Sequence, residues 1–238
     1  MAETLPRATV LLYGHCGSKS GTELTLRRVL IIAYYFPPIG GIGSIRMAGF
    51  ASYLPQFGWE PTVLAPFSTP HHSDPSIRFA DIRVVRARSI EPALMLRRRR
   101  GTESTAEPSG PASSVNGAAP ASPPSIRSTA ASMAFPDAQI GWYPGAFAAA
   151  RRLVDGEHFD AVFSSSYPVT AHMIAQAAAR RARLPWVAEF RDPWSERLPT
   201  AIHRLFGQRL ERGIVGTADA VIVPSRAFAE HYGARWGV

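Results

Sequence analysis

Lysine is almost missing from this sequence. Lys19 is the only one among 26 basic residues, so the formal charge of +8 and the pI near 10.3 rest on arginine. The planar guanidinium suits phosphates and anionic surfaces, so phosphorylated ligands or acidic lipid headgroups are candidate partners. A merely solvated, arginine-biased surface is the alternative. Cysteine is as scarce: Cys16 stands alone, no disulfide can form within the chain, and a reducing, cytoplasmic compartment is expected. No apolar run reaches the ~20 residues that span a bilayer. The N-terminus lacks a basic segment followed by a long apolar core, the mark of a secretory leader. Aromatic residues do not interleave with the Arg97–Arg100 run, so nucleic acid is not expected as a partner.

What is present is a hydrophobic content of 46%, enough for a sizeable core, and one very informative segment. Val29–Tyr35 reads as a buried strand, Pro37–Gly43 as a loop and Ser44–Phe57 as an amphipathic helix. Gly58 reads as a turn and Pro61–Ala65 as a second buried strand. In such a β-α-β unit ligands sit beyond the carboxyl ends of the strands. A glycine-rich loop placed there lets backbone approach a ligand, and the following helix aims free N–H groups at it. A tight strand-to-helix turn with no ligand is the other reading. A dinucleotide loop is disfavoured, because Gly41-Ile42-Gly43-Ser44-Ile45 is followed by Arg46 rather than glycine. The second strand also ends in Ala65-Pro66, without an acid for a ribose.

Residues 1–27 read as a loose tail in which Val10–Tyr13 can add a short strand. Ile82–Arg86 is a third strand. His71, His72 and Asp74 lie in a loop whose spacing is not that of a settled metal site, and no metal is expected. From about residue 97 to 134 the chain is Arg, Ser, Ala, Pro and Gly with almost no large apolar residue, which predicts a disordered insert. Order resumes with helices over Trp142–Val154, Val169–Arg183, Ile202–Val215 and Arg226–Trp236, alternating with strands over Ala161–Ser164, Trp186–Phe190 and Ala220–Val223. The alternation predicts an α/β fold, a Rossmann-like parallel sheet of about six strands with helices on both faces.

The stretch YYFPPIGGIGSIR (Tyr34–Arg46), followed by LPQFGWEPTVL (Leu54–Leu64), resembles the start of the N-terminal domain of family-4-type glycosyltransferases of the two-domain GT-B fold. The likeness continues in PDAQIGWYPGA (Pro136–Ala146), FDAVFSSSYPVTAHMIA (Phe159–Ala175), PWVAEFRDPW (Pro185–Trp194) and LERGIVGTADAVIVPS (Leu210–Ser225). The resemblance implies that residues 28–238 are the acceptor-side half of such an enzyme, with the donor-binding domain absent. It implies retaining transfer of a sugar from a nucleotide-sugar donor, used as co-substrate without a metal, to a glycan or lipid-linked acceptor. The family's usual territory is polysaccharide biosynthesis.

Three clusters then become candidate site residues. Gly40, Gly41, Gly43, Ser44 and Arg46 match positions at the cleft where donor phosphates and acceptor meet. Ser165 and Ser166 can bind sugar or cap the next helix. Arg191 and Asp192 stand where many relatives carry a histidine: by resemblance Arg191 holds an acceptor or phosphate oxygen and Asp192 orients it or binds a hydroxyl, unless the two simply brace their own loop. Expected partners are a donor-binding domain or second polypeptide, with peripheral contact at the inner face of a membrane as a further option. A non-catalytic binding or scaffold module is the alternative to an enzyme half, which would be inactive alone.

Overall fold

A computed structural model of the chain describes residues 9–11, 26–67, 73–79, 81–90 and 134–237. Its strands are β1 (Thr9–Leu11), β2 (Arg27–Ile32), β3 (Trp59–Pro66), β4 (Arg83–Ala87), β5 (Ala161–Ser165), β6 (Trp186–Glu189) and β7 (Ala220–Ile222). The helices are α1 (Ile42–Tyr53), α2 (Tyr143–Gly156), α3 (Thr170–Ala182), α4 (Ala201–Val215) and α5 (Arg226–Trp236). Every strand pairing is parallel, and the sheet order is β1-β7-β6-β5-β2-β3-β4. The expected Rossmann-like α/β sheet is thus present. Thr9–Leu11, within the expected tail, form an edge strand beside β7. The expected insert, apart from Ala134, and the His71-His72 pair lie outside the described residues.

Parallel strands covered on both faces must be apolar on both, and β2 shows this directly. Leu30 and Ile32 enter a cluster with Trp142, Ile174, Trp186 and Tyr232, to which α2, α3 and α5 contribute on one side. Val29 and Ile31 enter the opposite cluster with Met47, Ala48 and Ala51 of α1. Those three α1 residues and Ser44 recur every three or four positions, which is the buried stripe of an amphipathic helix. Pro55 tightens the end of α1 into a 3-10 turn, Leu54–Phe57, and Gly58, at φ 77°, turns the chain left-handed into β3.

Successive strands from β2 through β3 to β4 step one way across the sheet, whereas β5, β6 and β7 step the other. The reversal lies between β2 and β5. A crevice at the carboxyl edge of these two strands is where such folds place ligands.

Candidate functional site

The loop after β2 is held from three directions. Arg86 of β4 donates to the carbonyls of Pro37 and, at 3.3 Å, of Pro66. The Asp74 amide donates to the Pro38 carbonyl at 2.7 Å, and Phe36 packs edge-on against Phe79 with ring centres 5.2 Å apart. Gly41 then takes φ 98°, a conformation that side chains resist, and serves as the N-cap of α1 without any side-chain cap. The first-turn amides of α1 therefore open toward the crevice edge. Beneath them the Ser44 hydroxyl is buried with no hydrogen-bond partner among the described residues.

Two of the predicted clusters meet at this loop. A Cβ on Gly43 would lie 3.1 Å from Nη1 of Arg191 and 3.3 Å from Cβ of Tyr35, so glycine here is what lets the guanidinium lie against the loop. Arg191 makes no ion pair with any described residue. Asp192 does not pair with it: the Asp192 carboxylate is exposed and lies 3.4 Å from Arg197. The loop after β6 thus offers one open cation to the crevice and turns its neighbouring acid outward.

Glu189, the last residue of β6 and two positions before Arg191, bonds to both of the other clusters. Its buried carboxylate pairs with Arg46 of α1, leaving Oε2 without a partner, while its carbonyl accepts from the Ser166 amide at 3.0 Å and the Ser166 hydroxyl at 3.3 Å. Ser165 and Ser166 are both buried, and Ser165 turns toward the Ser166 carbonyl at 3.5 Å. Sequence reasoning assigned Glu189 no role. The signal was there, an acid closing an otherwise apolar strand, WVAE.

Neither serine caps α3. Asp137, from the segment before α2, supplies that cap: its carboxylate accepts from the Thr170 amide at 2.8 Å, the Thr170 hydroxyl at 2.8 Å and the Gln139 amide at 3.1 Å. Burial nevertheless dominates and pushes the Asp137 carboxyl up to about 6. Desolvation of its hydroxyl, together with the nearby Asp137 and Tyr35, raises the Tyr167 phenol at the rim, although the side chain as a whole stays 40% exposed.

Two further buried polar groups lie off the rim. His172 takes Ser164 Oγ at 2.8 Å on Nδ1, and Trp186 Nε1 donates to the same oxygen at 2.8 Å, so the imidazole is a core element held neutral by burial, down to about 3. Glu211 accepts from Ser195 and Tyr232, which ties α4 to α5 and to the 3-10 turn Trp194–Arg197. Among the described residues no three His, Cys, Asp or Glu converge as metal ligands, and no helix is long and apolar enough to cross a membrane.

Comparison with solved structures finds sucrose-phosphate synthase from Thermosynechococcus elongatus, at a TM-score of 0.54 and 14% identity. The match covers 88% of this chain but only 45% of that one. At that identity the likeness is one of fold, and this chain spans less than half the length of that relative. No curated protein matches by sequence. The glycosyl transferase 4-like domain model, however, matches residues 40–238, a span that takes in the glycine loop, the Asp137 segment, both serines and the Arg191 loop. On that match the chain belongs to the glycosyl transferase 4-like family, in keeping with its Rossmann-like, GT-B type architecture.

Proposed function

We propose that this chain is the acceptor-side half of a retaining glycosyltransferase. It works with a donor-binding domain or second polypeptide to move a sugar from a nucleotide-sugar donor to a hydroxyl of a glycan or lipid-linked acceptor. The observation that carries the reading is the Arg191 guanidinium, unpaired among the described residues and lying against Gly43 where α1 begins. A diphosphate leaving group develops charge as the glycosidic bond breaks. A fixed cation beside a helix N-terminus stabilises that charge with little reorganisation.

The other residues take roles by position. Gly40, Gly41 and Gly43 give the backbone close approach to phosphate or acceptor, and the Ser44 hydroxyl supplies a buried donor below them. Arg46 and Glu189 position the first turn of α1 against the end of β6. Ser166 fixes the β5 loop to the Glu189 carbonyl, with Ser165 behind it. Asp192, turned outward beside Arg197, would meet only a sugar hydroxyl presented from that outer side. No metal enters this scheme, because the cation is a side chain.

Halving the cleft removes the orientation that brings donor and acceptor together, a contribution of several kcal/mol. The purified chain alone is therefore expected to transfer no sugar. The test is a radiolabelled nucleotide-sugar assay with membrane extract as acceptor, run on the chain alone and on the chain joined to a family donor domain. Activity should need the second domain, and Arg191→Ala should lower kcat/KM about 100-fold or more, the scale of losing one preorganised charge contact. Turnover by residues 1–238 alone, or an Arg191→Ala variant as active as its parent, would refute the reading.

A further inference from the structure

The crevice does not use the outer face of α4, whose composition is unusual for a surface helix. Ile202, Leu205 and Phe206 are 61%, 49% and 51% exposed, and all three fall on its first two turns. Phe135, itself 37% exposed, extends the patch sideways, with its ring centre 6.4 Å from that of Phe206 and 6.2 Å from that of His203. Further along the same helix come Arg209 and Arg212, both exposed and neither paired with any described residue. The only acid on the helix, Glu211, is buried between Ser195 and Tyr232 and offers no outward charge.

We propose that this face of α4 docks on an anionic lipid bilayer. A cluster of large apolar side chains at one end of a helix, with arginines and no exposed acid beyond it, has the layout of a helix lying in a membrane interface. The apolar tip enters the acyl boundary while the guanidinium groups stay at phosphate level on their alkyl stems. A protein partner would need acids matched to Arg209 and Arg212, and a second copy of this chain would bring arginine against arginine at its own α4. The net charge of +8 adds long-range attraction to an acidic surface. The turn Trp194–Arg197 and the Thr200 cap lie between the Arg191 loop and α4 along the chain. The inference does not depend on sugar transfer, because vesicle binding is read without donor or acceptor.

The experiment is flotation of the full chain with phosphatidylcholine vesicles, with and without phosphatidylglycerol. The chain should float with the anionic vesicles and stay in solution with the neutral ones. The triple variant Ile202→Gln, Leu205→Gln, Phe206→Gln should weaken binding about tenfold or more, and Arg209→Gln with Arg212→Gln should weaken it and flatten its salt dependence. Because the triple variant alters three positions at once, Phe206→Trp gives an independent reading: its added fluorescence should be quenched by brominated lipid in the anionic vesicles. No flotation, binding that survives the triple variant, added fluorescence in Phe206→Trp untouched by brominated lipid, or a patch that instead drives self-association would each overturn the proposal.

Discussion

Asp137 is the group whose loss should be most legible in solution. Its carboxylate accepts three hydrogen bonds, from the Thr170 amide and hydroxyl and the Gln139 amide, yet burial raises its titration from 3.8 to about 6. Charging it inside the protein therefore costs more than charging it in the unfolded chain. That difference corresponds to about 3 kcal/mol. Since the folded value lies above the unfolded one, the contribution is present below about pH 4 and is lost as pH rises through about 6. Asp137→Asn keeps an acceptor for the α3 amide and removes the titration. Its stability relative to the parent should therefore climb by about 3 kcal/mol between about pH 4 and pH 7, a swing of roughly 6–12 °C in melting midpoint for a chain of this size. His172 runs the other way, with a folded value of about 3 against 6.5, and erodes stability as pH falls through the same range. It is common to both proteins and cancels in the difference, so urea titrations of the pair across this range isolate Asp137. Parallel pH profiles would refute the reasoning, and a difference falling with pH would mean that the amide donors outweigh burial.

Gly145 on α2 packs hard against the residue after β4, since a Cβ there would sit 2.2 Å from the Arg88 carbonyl oxygen; Gly145→Ala should cost about 1–3 kcal/mol in urea. Gly49→Ala on α1, where a Cβ meets nothing within 4 Å, should instead be neutral or stabilising by up to about 1 kcal/mol; equal effects at both glycines would contradict the packing. Tyr232→Phe removes one of two hydroxyl donors from the buried Glu211 and should cost about 1–3 kcal/mol by the same measurement, a neutral result showing that the contact does not bear on stability.

The strands and helices were legible because their signals are local. β2 and β5 are largely apolar runs, α3 is alanine-rich, and Gly58 marks the turn that ends the first helix segment. Boundaries moved by a few residues where local chemistry decided them: α1 begins at Ile42 because Gly41 takes the N-cap conformation, and β6 stops at Glu189 before the Phe190–Pro193 loop. The site was half legible. The glycine loop and Arg191 could be named from motif and position, and the structure brings them into contact. What sequence could not supply was pairing across elements. Arg191 beside Asp192 in sequence suggested a bonded pair, but side chains of adjacent residues in a loop leave in different directions, and each found other company. Glu189 and Asp137 draw their roles from Arg46 and Thr170, partners far along the chain that no spacing rule connects.

The two rims of the sheet divide their labour in a way that follows from this pairing. At the amino edge charges are matched: Glu157 receives Arg28 and Arg83, which holds its carboxyl down at about 2, and Asp160 takes the Arg28 amide at 2.7 Å. Most charge at that edge is matched, although Arg28 Nε is buried without a hydrogen-bond partner among the described residues, 3.6 Å from Glu60. At the carboxyl edge Arg191 is unmatched, Ser44 Oγ and Glu189 Oε2 are buried without partners among the described residues, and Ile42, Ile45, Phe67 and Tyr167 stand exposed. Apolar exposure alone does not single out this rim, since Leu26, Phe57 and the α4 residues Ile202, Leu205 and Phe206 are exposed as well, but no unpartnered carboxylate of the described residues accompanies those. A folded chain leaves buried polar atoms unpaired and apolar side chains in water only at a cost, so an unpartnered Ser44 hydroxyl and Glu189 carboxylate beside exposed apolar side chains on this rim need a compensating gain. Binding supplies it: a ligand satisfies the orphaned polar groups, and a covering surface removes the apolar groups from water. The rim that folding leaves incomplete is therefore the rim on which function has to be sought.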